Sequence, residues 1–130
     1  MAIKHGINLS ITAENVAAEL TNLAKDIDHW EGVLAEKANE LQVIEAAHKV
    51  LKFQTEVQIR QDPITFGFPK LTETLVPTIL GIQPAVIESE KKLIAAKNAV
   101  NEVKVVTIAL DAKRSACKYL TELTTGKKPQ

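Results

Sequence analysis

The sequence predicts an all-α protein in which two long amphipathic helices, joined by a short proline-rich connector, pack in coiled-coil fashion within a homo-oligomer. Three observations predict it. An apolar seam with heptad spacing runs for five repeats without a proline, a softer seam follows a group of prolines, and only five of the 130 residues are aromatic. The apolar content is carried mainly by Ala, Val, Ile and Leu. That suits helix–helix packing better than a sandwich built on aromatic and β-branched strands.

Residues 1–11 read as a flexible arm containing Gly6. Ser10 and Thr12 are both N-cap residues by type, and Glu14 follows in the turn where the helix dipole favours an acid. From there Val16, Leu20, Leu23, Ile27, Trp30, Leu34, Lys37, Leu41, Ile44, His48 and Leu51 alternate steps of four and three. That is the period of a coiled-coil seam, broken in character only by Lys37 and His48. A continuous helix of this length would reach roughly 75 Å. Its seam must fold back on another segment or meet another chain, and Leu20, Leu23, Ile27, Trp30, Leu34, Leu41 and Ile44 are the expected oligomer interface. Gly32 is the weak point, since an interior glycine costs about 1 kcal/mol relative to alanine.

Asp62-Pro63 ends the helix, because the residue before a proline disfavours the α region. Residues 63–70 form a loop in which Phe66 and Phe68 flank Gly67; they either plug the connector onto the helices or stack on bases. Residues 71–83 predict a short broken helix, with Leu71, Leu75, Ile79 and Ile82 at helical spacing and Pro77 and Gly81 interrupting. Pro84 suits the first turn of the second long helix. Its seam is Val86, Leu93, Ala96, Val100, Val103, Thr107, Leu110 and Cys117, ending near Leu123 with Gly126 as C-cap. The domain reading is an arm at 1–11, one helical domain at 12–123 and a basic tail at 124–130.

Charge is uneven although the total is zero. Residues 12–62 hold five bases and ten acids, 5 − 10 = −5; residues 63–130 hold ten bases and six acids, 10 − 6 = +4; Lys4 supplies the rest. The two halves either attract each other or are solvated faces of unequal composition. The single cysteine, Cys117, excludes an internal disulfide and reads as a small core residue. The first ten residues lack the apolar run of a secretory signal and no run approaches the roughly 20 residues that cross a bilayer, so the expectation is a soluble cytoplasmic protein with no membrane partner.

Catalysis needs groups that can meet. His29 and His48 lie 19 residues apart on the first helix, roughly 28 Å, and no metal-ligand spacing, phosphate-cradling glycine loop or nucleotide fingerprint is present. Ser89 and Ser115 have no histidine near them in sequence. The expectation is no enzyme, no metal and no cofactor. Basic residues are more suggestive. Lys49, Lys52 and Arg60 close the first helix, and Lys91, Lys92, Lys97, Lys104, Lys113, Arg114 and Lys118 line the second. Repeated around an oligomer, such lysines make a groove for a phosphate backbone.

The residues Ile44-Glu45-Ala46 with Lys49-Val50, and Ala109-Leu110-Asp111-Ala112 with Lys113 and Arg114, together with the order of tryptophan-bearing helix, basic helix end, loop and second helix, resemble the phage recombination-mediator family typified by UvsY. The resemblance implies a homo-oligomeric ring that binds single-stranded DNA, contacts a single-strand-binding protein and assists loading of a RecA-like recombinase. It implies that Lys49 contacts DNA. Where the family carries further basic residues this chain has Phe53 and Thr55, so Lys52 and Arg60, with Lys97 and Lys104, complete the expected DNA-binding set. Two other readings stand beside it. One is a coiled-coil structural or assembly scaffold. The other is a secreted helical hairpin of the Trp-x-Gly type, from Trp30-Glu31-Gly32, although there the motif sits in a turn and here the helical pattern continues on both sides.

Overall fold

A computed structural model describes residues 16–124 and is all-helical among them, with the order α1 (Val16–Gln61), α2 (Leu75–Gly81) and α3 (Pro84–Thr124). The arm, the N-caps Ser10 and Thr12, the C-cap Gly126 and the basic tail lie outside the described residues. No described helix is long and apolar enough to cross a membrane.

α1 is continuous through Gly32, where a Cβ would meet nothing within 4 Å. The 4–3 seam read from the sequence faces inward at every position: Val16, Leu23 and His48 are buried, and Leu20, Ile27, Trp30, Leu34, Lys37, Leu41, Ile44 and Leu51 are half-buried. The inward face then continues through Thr55 and Ile59, both buried. The helix stops after the Asp62 N–H donates to the Gln58 carbonyl at 3.0 Å, because Pro63 follows.

The connector is tightly turned. Phe66 N and Phe68 N both donate to the Pro63 carbonyl, Gly67 N donates to Ile64 O, and the Thr65 hydroxyl donates to the Asp62 carboxylate. Gly67 has φ of 88°, a left-handed value that costs glycine nothing. Phe66 and Phe68 are both half-buried.

The sequence pattern predicts a broken helix over 71–83; the structure has one short unbroken helix, α2, with Pro77 in its first turn. A backbone N–H is unused there in any helix, so the proline is harmless. Val76 and Ile79 are buried, whereas Ile82 is exposed beyond the helix end. Gln83 closes α2 twice: its N–H donates to Leu80 O at 3.2 Å and its side-chain amide donates to Ile79 O at 2.8 Å. α3 then begins at Pro84, as its fixed φ favours.

The chain divides into two compact units. Among the described residues, the first comprises 16–37 and 99–124, and the second comprises 38–98. In the first unit Val16, Leu23, Val106, Leu110 and Cys117 form the core, with Leu20, Ile27, Trp30 and Leu120 packed against it. Glu19 meets Lys113 while Ile27 and Glu31 border a recess with Thr107, Leu110 and Asp111, so the two helix segments run antiparallel. Each fully buried leucine here contributes about 1.5–3 kcal/mol. In the second unit the buried side chains are Ile59, Val76, Ile79, Val86 and Leu93, with His48 and Thr55 among them.

Candidate functional site

The second unit carries most of the residues that the sequence nominates for nucleic acid. Lys49, Lys52 and Lys97 are solvent-exposed there and form no ion pair with a described residue. Lys104 is equally exposed but belongs to the first unit. Lys97 and Lys104 are seven residues apart on one edge of α3.

Arg60 is differently placed. Its guanidinium donates to both carboxylate oxygens of Glu73, at 2.8 and 3.0 Å, and to Glu56 at 3.2 Å. The bond to Glu73 first, and that to Glu56 second, raise the Arg60 pKa still further above its ordinary value. Arg60 in turn holds the Glu73 carboxyl below the usual carboxylate range. The pair is bidentate, a geometry that favours carboxylate and phosphate alike, and it lies in solvent. Arg60 ties the connector to α1 and, unlike the lysines, has carboxylate partners.

Part of the expected oligomer seam is used inside the first unit. Leu23 is buried in the core of the first unit, and Leu20, Ile27 and Trp30 pack against that core. Leu34, Leu41 and Ile44 are half-buried. The large apolar side chains left in solvent lie elsewhere. Val43, Val50 and Phe53 of α1 are 69 %, 54 % and 67 % exposed. Val43 and Val50 each stand two residues past a seam position, which turns them to the far side of the helix. Lys49 and Glu56 stand along one edge of this stripe, seven residues apart.

In the sequence Ser89 has no histidine near it; the fold brings His48 to it. His48 is buried, with Nδ1 2.7 Å from the Ser89 hydroxyl and Nε2 2.9 Å from a Glu90 carboxylate oxygen. The signal was present: Ser89 falls between Val86 and Leu93 at seam spacing on α3, opposite a histidine on the α1 seam. A serine–histidine–glutamate string passes protons in hydrolases, but acyl transfer also needs donors for an oxyanion. Ser89 lies beyond the first turn of α3, where backbone N–H groups are spent in the helix. The trio is a polar tie between α1 and α3.

Lys113, expected among the solvent-facing bases, is buried and paired with Glu19 at 2.8 Å. Its position three residues after Leu110 and four before Cys117 places it on the α3 seam. Arg114 is paired with Asp111 at 2.9 Å. No group of three or more potential metal ligands occurs among the described residues. Comparison with known proteins found no matching family model, no similar curated protein and no similar solved structure.

Proposed function

We propose that the protein is a non-enzymatic assembly protein that associates through the outer face of α1 and, once assembled, holds single-stranded DNA along lysines repeated from subunit to subunit. The observation that carries the reading is the solvent-exposed stripe of Val43, Val50 and Phe53. Contiguous exposed apolar residues at heptad spacing mark an interaction face. A second copy is the occupant that the charges favour. Lys49 and Glu56 flank the stripe on one edge, so an antiparallel copy sets each lysine against the other chain's glutamate.

Lys49 borders the same face, Lys52 stands on the side of α1 toward His48, and Lys97 and Lys104 lie on α3; all four are exposed with no described ion-pair partner. The chain has zero net charge, so one subunit holds a phosphate backbone weakly and many together hold it well. Recombinase loading and contact with a single-strand-binding protein rest on the UvsY-type resemblance. The second reading, a scaffold that binds no nucleic acid, draws on the pairing of Arg60, one of the expected cations, with Glu73 and Glu56.

Sedimentation of the full chain and of Phe53→Glu, each with and without a long single strand across a salt series, tests both levels. Self-association lost in Phe53→Glu supports the face; a monomeric wild type at micromolar concentration removes it. Binding that falls steeply with salt, and less steeply in Lys49→Ala/Lys52→Ala, supports the DNA reading. An assembled wild type that ignores DNA at low salt leaves the scaffold.

A further inference from the structure

The second unit contains a groove of about 430 Å³ between α2, the start of α3 and the His48–Lys52 turn of α1. Its size is in the range of small-ligand sites. Two features separate it from a chance gap between helices. One wall is apolar, from Pro77 and Leu80 of α2 and Val86 and Ile87 of α3, and Ile87 keeps much of its surface in solvent. The rim carries charge that nothing in the described structure neutralises. Lys52 and Lys91 have no ion-pair partner among the described residues, while Glu90 already accepts from His48 Nε2 at 2.9 Å. The rim sets two ammonium groups, Lys52 and Lys91, against one carboxylate, Glu90.

We propose that this groove binds a free single-chain amphipathic carboxylate of the fatty-acid type, its chain on Pro77, Leu80, Val86 and Ile87 and its carboxylate between Lys52 and Lys91. Charge decides the head group: a cation would meet both lysines, and a neutral head would leave them uncompensated. The wall decides the body, because it offers aliphatic surface and no aromatic ring on which a nucleobase could stack. His48, buried beside the groove, is held by Ser89 and Glu90, so this part of the lining is set before a ligand arrives. This site is separate from the stripe of Val43, Val50 and Phe53, since Lys52, two residues past Val50, stands on the other side of α1 with His48.

Titration calorimetry of the full chain with decanoate, kept below its micelle concentration, tests the proposal. The expected result is saturable binding of one decanoate per chain, with affinity rising about four-fold per methylene from hexanoate to decanoate, as burial of each CH₂ requires. Decanol is expected to bind at least ten-fold more weakly. Lys52→Glu/Lys91→Glu, at two exposed helix positions, is expected to keep the helical circular dichroism and to lose at least ten-fold in affinity. The proposal is overturned by an absence of saturable heat, by a chain-length series with no slope, or by unchanged affinity in the double variant. Adsorption to anionic phospholipid vesicles without uptake of free decanoate also overturns it, since that result assigns the lysines to a membrane surface.

Discussion

Replacing Lys113 by alanine probes the only ammonium buried among the described residues. Its side chain is 6 % exposed and lies 2.8 Å from a Glu19 carboxylate that is itself 19 % exposed. Alanine removes the cation and leaves the carboxylate largely out of water with no counter-charge. Breaking a buried pair from one side costs about 3–5 kcal/mol, far above the 0–1 kcal/mol of a surface pair. Unfolding entropy of about 2.1 cal/mol/K per residue amounts to about 0.27 kcal/mol/K for a chain of this length, so the midpoint should fall by about 11–19 °C. The paired replacement Lys113→Met with Glu19→Leu leaves no orphan charge and should melt near or above wild type. The assay is a thermal melt at one fixed protein concentration, because an assembling protein melts at a concentration-dependent temperature. A loss below about 1 kcal/mol for Lys113→Ala would show that solvent reaches the pair, and the argument from burial would fail.

Three further outcomes follow from individual sites. Trp30→Ala should cost about 3 kcal/mol by chemical denaturation, the low end for a large core truncation, because Trp30 packs on the first-unit core yet is only half-buried; a change near zero would make it a surface residue. Gly32→Ala should raise stability by up to about 1 kcal/mol, since Gly32 sits inside α1 with open space at its Cβ, and a lowered melting temperature would refute an unbroken helix there. The Glu73 carboxyl, depressed by Arg60, should titrate below the ordinary glutamate range in a carbon-detected NMR titration. Its contribution is complete above the unfolded-state value and is lost as pH falls through the lowered one. In Arg60→Gln the Glu73 titration should return to normal; an unmoved titration would mean another cause.

The legible parts of this fold are the periodic ones. The α1 seam from Val16 to Leu51 and the start of α3 at Pro84 follow from spacing and from proline chemistry, and the structure has both. The seam's end was missed because Thr55 is polar and the next step, to Ile59, is four where three was due. Thr55 enters the core by donating its hydroxyl to the Leu51 carbonyl at 2.7 Å, which spends its polarity locally. α2 was blurred by Pro77, which breaks a helix interior but not a first turn. Lys113 looked like a surface base because charge outweighs position in any reading of composition; the position was correct and the charge was paired. Of the proposed DNA-contacting residues, the exposure of Lys49, Lys52, Lys97 and Lys104 follows from their places off the seams. The pairing of Arg60 does not, since its partner Glu73 lies thirteen residues away across the connector.

Polar residues on the two seams answer a problem that the apolar ones create. Val, Ala and Leu at repeated spacing pack almost equally well if one helix slides past another by a heptad. Polar pairs do not, because a slide strands them without partners at a cost of about 1–3 kcal/mol per group, and more for a charge. Each unit contains such a device: Glu19 with Lys113 in the first, His48 with Ser89 and Glu90 in the second. No buried side-chain nitrogen or oxygen among the described residues lacks a hydrogen-bond partner, so the observed register satisfies them all. The outer stripe of Val43, Val50 and Phe53 has no polar group within it. If the stripe is where chains meet, its register falls to the charges on its edge, Lys49 and Glu56. Reversing the charge of either alone should then weaken association, and reversing both together should restore it, a recovery that unspecific hydrophobic clustering does not produce.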